Sequence, residues 1–423
     1  MISKELTKEI LFEQRKKLIA KDFGVEREQL QMVKSKLDLP HILVISGIRR
    51  CGKSTLLKQV VDRFFSNTNF YYINFDDERW LEFVAKDFNV IYECLYELFG
   101  EARTFFIDEI QNVTAFETFV RRFYDDGFKF IITGSNSDLL HSELAVKLTG
   151  RYLEIPLLPF NFREFLCYKN VEVNATTFYD TVQRVAIREH FETFLFSGGM
   201  PEWIRFSDTD VLKQTYDNLI TKDIAIRFKI NHLTEMRQTY QYLITNFGRC
   251  FSYNSVAKQM MLEKNTVKNY IDYLELTFFA KQIYKFDHSY RKQIANEKKM
   301  YIVDNGFIPL ISNTLTKDKG RLLENCCCNQ LLTFGEVFYF AQKAECDFVV
   351  IDKNQNTKQL YQITFEMNSF NRKREIEGLM EAMQFFDKKN GFILTYDTEE
   401  TLSINDFHIE IVPVWKWFCK LKT

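Results

Sequence analysis

Between His41 and Pro156, short apolar runs alternate with stretches whose apolar residues recur at helical spacing. The runs predict strands near Ile42–Ser46, Phe70–Phe75, Thr104–Ile107, Phe128–Thr133 and Tyr152–Ile155. Continuous rather than alternating hydrophobicity, with helices between, is the pattern of a parallel sheet covered on both faces. Upstream, Ser3 to about Lys21 reads as a charged amphipathic helix, an arm that packs on a neighbour or on this sheet domain. From about Cys167 to Tyr240 the spacing is helical, broken at Ser197-Gly198-Gly199 and Pro201. Phe251 to Phe286 then changes character. Ser252–Met260 is a capped short helix, Met261–Lys264 a tight turn, and Asn265–Leu274 a second helix with Val267, Ile271 and Leu274 on its apolar face. With β-like Phe279–Phe286 and Lys298–Val303 as a wing, this is a helix-turn-helix layout.

Chemistry enters at the end of the first strand. Gly47-Ile48-Arg49-Arg50-Cys51-Gly52-Lys53-Ser54 fits G-x-x-x-x-G-K-[ST], a loop that aims backbone N–H groups at nucleotide phosphates. Lys53 supplies charge for the β- and γ-phosphates, Ser54 a hydroxyl for Mg2+, and Thr55 opens a helix whose dipole favours the anion. The third strand ends in Asp108-Glu109: Asp108 is the candidate metal residue, Glu109 the candidate that polarises the attacking water. The fourth strand ends in Thr133-Gly134-Ser135-Asn136. Asn136 is the first choice, Thr133 the second, for a group between the γ-phosphate and that water. Arg151 follows a helical stretch and could reach the γ-phosphate of a neighbouring subunit, which implies a homo-oligomer; it could equally serve the local helix dipole. In the helix-turn-helix, Lys264, Asn265, Thr266 and Lys268 are the candidate DNA contacts, with Asn269 beside them.

Composition narrows the classes. The chain has 423 residues, enough for several domains, with 56 basic and 57 acidic residues for a net charge of −1. That balance excludes a global basic footprint, so any DNA contact comes from a local patch. Nine cysteines show no paired zinc spacing, and Cys326-Cys327-Cys328 reads as a buried helix turn. Free cysteines suit a reducing compartment. The start, Met1-Ile2-Ser3-Lys4-Glu5-Leu6, has no apolar signal core, and no run reaches membrane-spanning length. The expectation is a cytoplasmic protein without a membrane partner. The 42 phenylalanines are scattered at core spacing, which predicts aromatic packing rather than a base-stacking platform.

The order of phosphate loop, Asp-Glu strand, Thr-Gly-Ser-Asn strand and Gly150-Arg151 before a fifth strand resembles an AAA-type P-loop ATPase (AAA+/STAND-like). More narrowly, the chain resembles bacterial and archaeal ATPases in which this core is fused to a winged helix and a restriction-endonuclease-like C-terminal domain. Leu158–Phe165 and Ser197–Glu202 carry further likeness. The resemblance implies an α/β fold: a P-loop parallel sheet of order 5-1-4-3-2 with a helical lid, a winged helix-turn-helix and an α/β nuclease-like domain. The implied division is 1–38 arm, 39–168 ATPase core, 169–240 lid, 241–299 winged helix and 300–423 nuclease-like domain. ATP and Mg2+ are the expected cofactors.

In the nuclease-like fold, Glu324 resembles the metal-binding helix Glu and Asp347 the strand Asp, while Gln362 and Thr364 stand where E-x-K has Glu and Lys. Glutamine is a neutral ligand and threonine cannot supply charge, so cleavage is not expected unless another lysine, such as Lys343 or Lys373, takes the role. The sequence thus predicts an ATP-hydrolysing motor or switch on DNA. The rival readings are a nucleotide-gated DNA-binding or adaptor protein with incidental turnover, and an active nuclease.

Overall fold

The structure is a computed structural model that describes residues 3–135, 148, 150–174, 176–312, 318–352 and 357–420. The chain divides into two compact units, one running to Leu158 and taking in Leu276–Phe278, the other Pro159–Glu275 with the chain from Phe279 on. Among the described residues no helix is long and apolar enough to cross a membrane.

The first unit is built on β1 (Ile42–Ser46), β2 (Tyr71–Asn74), β3 (Thr104–Asp108), β4 (Lys129–Gly134) and β5 (Tyr152–Pro156). All neighbours pair in parallel, in the order β2-β3-β4-β1-β5, which is 5-1-4-3-2 read from the other edge. β1 and β3 are buried along their whole length, which is why they read as unbroken apolar runs. The phenylalanines account for much of one face. Phe105 stacks on Phe130, Phe88 stacks on Phe119, and Phe123 and Phe128 meet edge to face. The arm forms the helix Lys4–Ala20, with the Ser3 hydroxyl accepting from the Leu6 N–H. It packs on its own unit: Ile10 and Leu11 join the core beside Tyr71 and Ile91, and Gln14 donates to the Asn74 carbonyl at the tip of β2.

In the second unit the helical region comprises Phe162–Tyr168, Thr181–Ser197, Pro201–Phe206, Thr209–Asn218, a π-helical turn over Leu219–Ile226, and Leu233–Thr245. The helices Tyr253–Met260 and Lys264–Leu276 follow, joined through Met261 in a left-handed conformation. Nine strands form one mixed sheet, β13-β14-β12-β11-β10-β9-β7-β8-β6. They are β6 (Cys250–Phe251), β7 (Ala280–Lys285), β8 (Lys298–Ile302), β9 (Glu336–Ala341), β10 (Glu345–Asp352), β11 (Thr357–Ile363), β12 (Asn390–Thr395), β13 (Glu400–Ile404) and β14 (Phe407–Pro413). The β7–β8 hairpin does not stand free: β7 pairs in parallel with β9, so hairpin and C-terminal strands share one sheet. Cys326, Cys327 and Cys328 lie in the helix Lys319–Leu331 as free thiols.

The break at Ser197-Gly198-Gly199 has a cause in Asp304. Its carboxylate accepts from the Gly199 N–H at 2.6 Å and the Gly306 N–H at 2.8 Å. At φ +71° Gly198 lies so close that a Cβ would meet Asp304 Oδ1 at 1.8 Å, so no other residue fits. Burial pushes the Asp304 carboxyl up to about 7, against backbone N–H groups of Gly199, Gly306 and Met200 that favour its charge. The folded chain then holds a proton between about pH 4 and 7 that the unfolded chain releases, so this group's contribution to stability declines as pH rises through that window. The loss is about 1.4 kcal/mol per pH unit. Urea unfolding across pH 4.5–7 is expected to show a shallower decline in Asp304→Asn than in the parent; parallel slopes would remove Asp304 from this role.

Candidate functional site

The phosphate loop leaves the carboxyl end of β1 and closes into the helix Lys53–Phe64. A Cβ on Gly47 would meet the Leu157 carbonyl oxygen at 2.1 Å, so the loop can pass the exit of β5 only with glycine there. Cys51, fully buried, points its Sγ at that same carbonyl. Ile48 and Cys51 face inward while Arg49, Arg50 and Thr55 are partly exposed; Arg50 is left-handed at φ +65°. Lys53 is buried, its ammonium donating to the carbonyls of Gly47 and Ile48 at 3.2 Å each. Loop carbonyls are weak partners for an ammonium beside what a phosphate offers, so the side chain is poised rather than committed.

Asp108, at the end of β3, is likewise buried, and hydroxyl groups of Thr133, Ser54 and Tyr72 converge on it. Burial, then the Glu109 charge, push its carboxyl up, against the Ser54 and Thr133 hydrogen bonds and the Lys53 charge. A hydroxyl and a carboxylate in mutual contact beside a phosphate loop are the hard oxygen donors that Mg2+ takes, so Ser54 and Asp108 fit that ion. Glu109 diverges from its neighbour because its backbone is left-handed, φ +53°. Such a conformation costs a non-glycine residue about 1 kcal/mol or more and needs support from its surroundings. The support is Thr133 Oγ1, which accepts the Glu109 N–H at 3.0 Å. The Glu109 carboxylate lies 3.8 Å from the Lys53 ammonium and accepts from the Gln111 amide, which also reaches Ser135 Oγ at 3.2 Å. Four sequence candidates, Lys53, Ser54, Asp108 and Glu109, thus meet at the carboxyl edge of the sheet, where open α/β sheets bind ligands.

Other candidates fare differently. Asn136 lies outside the described residues. Thr133 Oγ1 donates to Asp108 and accepts the Glu109 N–H. Arg151 sits at the amino end of β5, its carbonyl accepting from Ile42 N at 2.8 Å and its side chain 3.2 Å from Asp125. A strand of five residues separates it from the phosphate-loop edge, about 16 Å at the usual rise. Arg151 therefore does not meet the phosphates of its own chain.

Arg27, which motif reading passes over, is buried and braces the loop from outside. It donates Nη1 to the Cys51 carbonyl at 2.8 Å and Nη2 to the Leu158 carbonyl at 2.6 Å. Gln59, on the loop's helix, accepts the Arg27 N–H and donates to the Phe23 and Val25 carbonyls. Arg27→Met keeps the bulk but removes two charge-assisted hydrogen bonds, each worth about 1.5–3 kcal/mol. Calorimetric titration and thermal melts are expected to show about tenfold weaker ATP binding with a lower melting temperature. Unchanged values of both would leave the brace without effect.

In the second unit, Lys264, Asn265 and Lys268 are exposed and Thr266 half-buried, opposite the buried Val267, Tyr270, Ile271 and Leu274. Glu275 is engaged by the Gln282 backbone and amide. The hairpin adds exposed Arg291 and Lys292, which motif reading also missed.

Glu324, Asp347, Gln362 and Thr364 do come together, lining a cavity of about 670 Å³ with Arg321, Glu345 and Arg374 among their neighbours. Gln362 is spent on structure: its Oε1 accepts the Asp347 N–H at 3.2 Å and its amide donates to Glu375 at 2.6 Å. Neither expected substitute lysine joins the carboxylates. Lys373 is exposed and lies 3.7 Å from Glu377, and Lys343 lines the cavity with its backbone N–H donating to Glu381 at 3.1 Å. Lys299 of β8 is there instead, 3.2 Å from Glu324, 2.6 Å from Glu345 and 3.6 Å from Asp347. Burial opposes its charge, but Glu324, Asp347 and Glu345 outweigh burial and hold the ammonium well above the usual lysine range.

A family model for the AAA domain matches residues 40–166, and one for a domain of unknown function (DUF8612) matches residues 188–318. Protein MJ1544 of Methanocaldococcus jannaschii is 33% identical, over 98% of this chain and 97% of that protein. A protein of Haemophilus influenzae is 28% identical, over 76% of this chain and 84% of its own. Among solved structures, the Aeropyrum pernix ORC1 protein in complex with DNA shares 12% identity, with a TM-score of 0.29 over 70% of this chain and 95% of that one.

Proposed function

The chain belongs to the family of protein MJ1544 of Methanocaldococcus jannaschii, and from that premise we propose an ATPase that binds Mg2+-ATP, hydrolyses it between subunits and works as a motor or switch on DNA. The observation that carries the reading is the convergence of Lys53, Ser54, Asp108 and Glu109 at one sheet edge inside a segment matched as an AAA domain. Backbone N–H groups of Gly47–Thr55 cradle the phosphates, and Lys53 turns from its two loop carbonyls to the β- and γ-phosphates. Ser54 and Asp108 hold the magnesium, whose chemistry is to draw charge from the phosphate oxygens. Glu109 polarises the attacking water and is kept in line by Gln111. Arg151, remote from its own loop, serves the neighbour's γ-phosphate in a homo-oligomer.

DNA is the proposed partner because helix Lys264–Leu276 presents lysines and asparagines opposite its apolar face, and the hairpin carries further exposed cations, Arg291 and Lys292. We read 241–299 as a winged helix on this ground. Lys264→Ala with Lys268→Ala is expected to weaken duplex DNA binding about tenfold and to lower the salt slope by about two, leaving DNA-free ATP turnover intact. Unchanged DNA affinity by fluorescence anisotropy would favour the adaptor reading, in which this helix docks on protein. We read 300–423 as nuclease-like and inactive, with plasmid left uncut in Mg2+ or Mn2+; cutting that Glu324→Gln abolishes would reverse that.

A further inference from the structure

We propose that the Lys299 ammonium is the resident cation of the Glu324–Glu345–Asp347 cluster, standing where a nuclease of this kind would hold a divalent ion, and that the cluster therefore takes no metal. The inference deepens the reading of this domain as inactive and stands apart from ATP turnover. The residues do not fit the ion that the nuclease resemblance implies. An ammonium has three N–H donors, and three carboxylates lie at 3.2, 2.6 and 3.6 Å from Lys299 Nζ. The lysine side chain is 5% exposed, and Glu324 and Asp347 are nearly as buried, while Glu345 closes the cluster from the solvent side.

One oxygen each of Glu324 and Asp347 also accepts from another donor. Tyr301 OH donates to Glu324 Oε1 at 2.5 Å, and the Ile363 N–H donates to Asp347 Oδ2 at 2.8 Å. Gln362 faces Asp347 N and Glu375 and offers no free ligand atom in place of the missing carboxylate. Among the described residues no three His, Cys, Asp or Glu side chains are disposed to hold a metal ion. A divalent ion drawn to Glu324 and Asp347 would meet the ammonium at close range, like charge against like charge. Lys299 also belongs to β8, whereas Glu324 lies on the helix Lys319–Leu331 and Asp347 on β10. The internal cation thus ties the hairpin to the C-terminal strands, as a structural metal ties separate elements.

The test is Mn2+ binding to the nucleotide-free full chain, read by electron paramagnetic resonance. Lys299→Met is expected to gain at least tenfold in Mn2+ affinity over the parent. Adding Glu324→Gln and Asp347→Asn should abolish the gain, a difference from which any Mn2+ at Asp108 cancels. In the parent, Glu324→Gln alone should leave Mn2+ binding unchanged. A folded Lys299→Met with no gain, or parental Mn2+ binding that Glu324→Gln removes, would overturn the proposal. If Lys299→Met does not fold, the parent and Glu324→Gln decide it by the same comparison. Plasmid cutting bears on the inactive reading; Mn2+ binding bears on the ammonium.

Discussion

Glu109→Gln is expected to hold ATP and stop turning it over, while Lys53→Ala is expected not to hold it. In its proposed role Lys53 meets phosphate charge in the ground state and the transition state alike, so its loss should fall on binding. Its ammonium is buried, which makes the group both dry and hard to replace by solvent. Glu109 is proposed to act on the water. Its removal should cost about 10²–10⁴-fold in turnover, the usual worth of a positioned general base, with little change in affinity. The left-handed backbone at Glu109 and its hydrogen bond to Thr133 do not depend on the carboxylate, so glutamine should keep the local geometry. Calorimetry and phosphate release on the two variants check the division. Equal loss of ATP binding in both would contradict it.

Arg151→Ala should reduce turnover by about 10³-fold, at the low end for arginine fingers, and turnover per mole of parent protein should rise with protein concentration. Within its own chain Arg151 pairs with Asp125 at 3.2 Å and lies over the Tyr124 ring. The pair is partly solvent-exposed and worth at most about 1 kcal/mol, so loss of the fold is not the expected consequence. ATP affinity of the isolated subunit should be unaffected. An undiminished Arg151→Ala with a concentration-independent rate would leave a monomeric switch.

The parts legible in the sequence are those fixed by local pattern. β1 falls on Ile42–Ser46 as read, and the other four strands of its sheet within a residue or two, because each is a short apolar run bounded by polar residues. The phosphate loop and Asp108-Glu109 are contiguous motifs, so their convergence follows once the sheet is parallel. Arg27 is different. It lies 24 positions before Cys51 in sequence and meets it through the crossing of a segment that has no motif. Gln111 stands two residues beyond the acidic pair, and its grip on Glu109 depends on the turn that Glu109 makes. Lys299 left one faint signal: paired lysines inside the otherwise apolar strand Lys298–Ile302. Lys298 turns to the carbonyls of Ile294 and Asn296, while Lys299 turns inward to carboxylates supplied from far along the chain. No spacing rule around Thr364 could have pointed there, since the lysine arrives across the sheet.

Hydrolysis at Lys53, Ser54, Asp108 and Glu109, completed by a neighbouring chain as proposed, is read by phosphate release from Mg2+-ATP across a range of protein concentrations, with Glu109→Gln as the blank. Mg2+-dependent release is expected, with a rate per mole that rises with concentration and is absent from the blank. Release equal to the blank at every concentration, from protein that binds ATP, would contradict it.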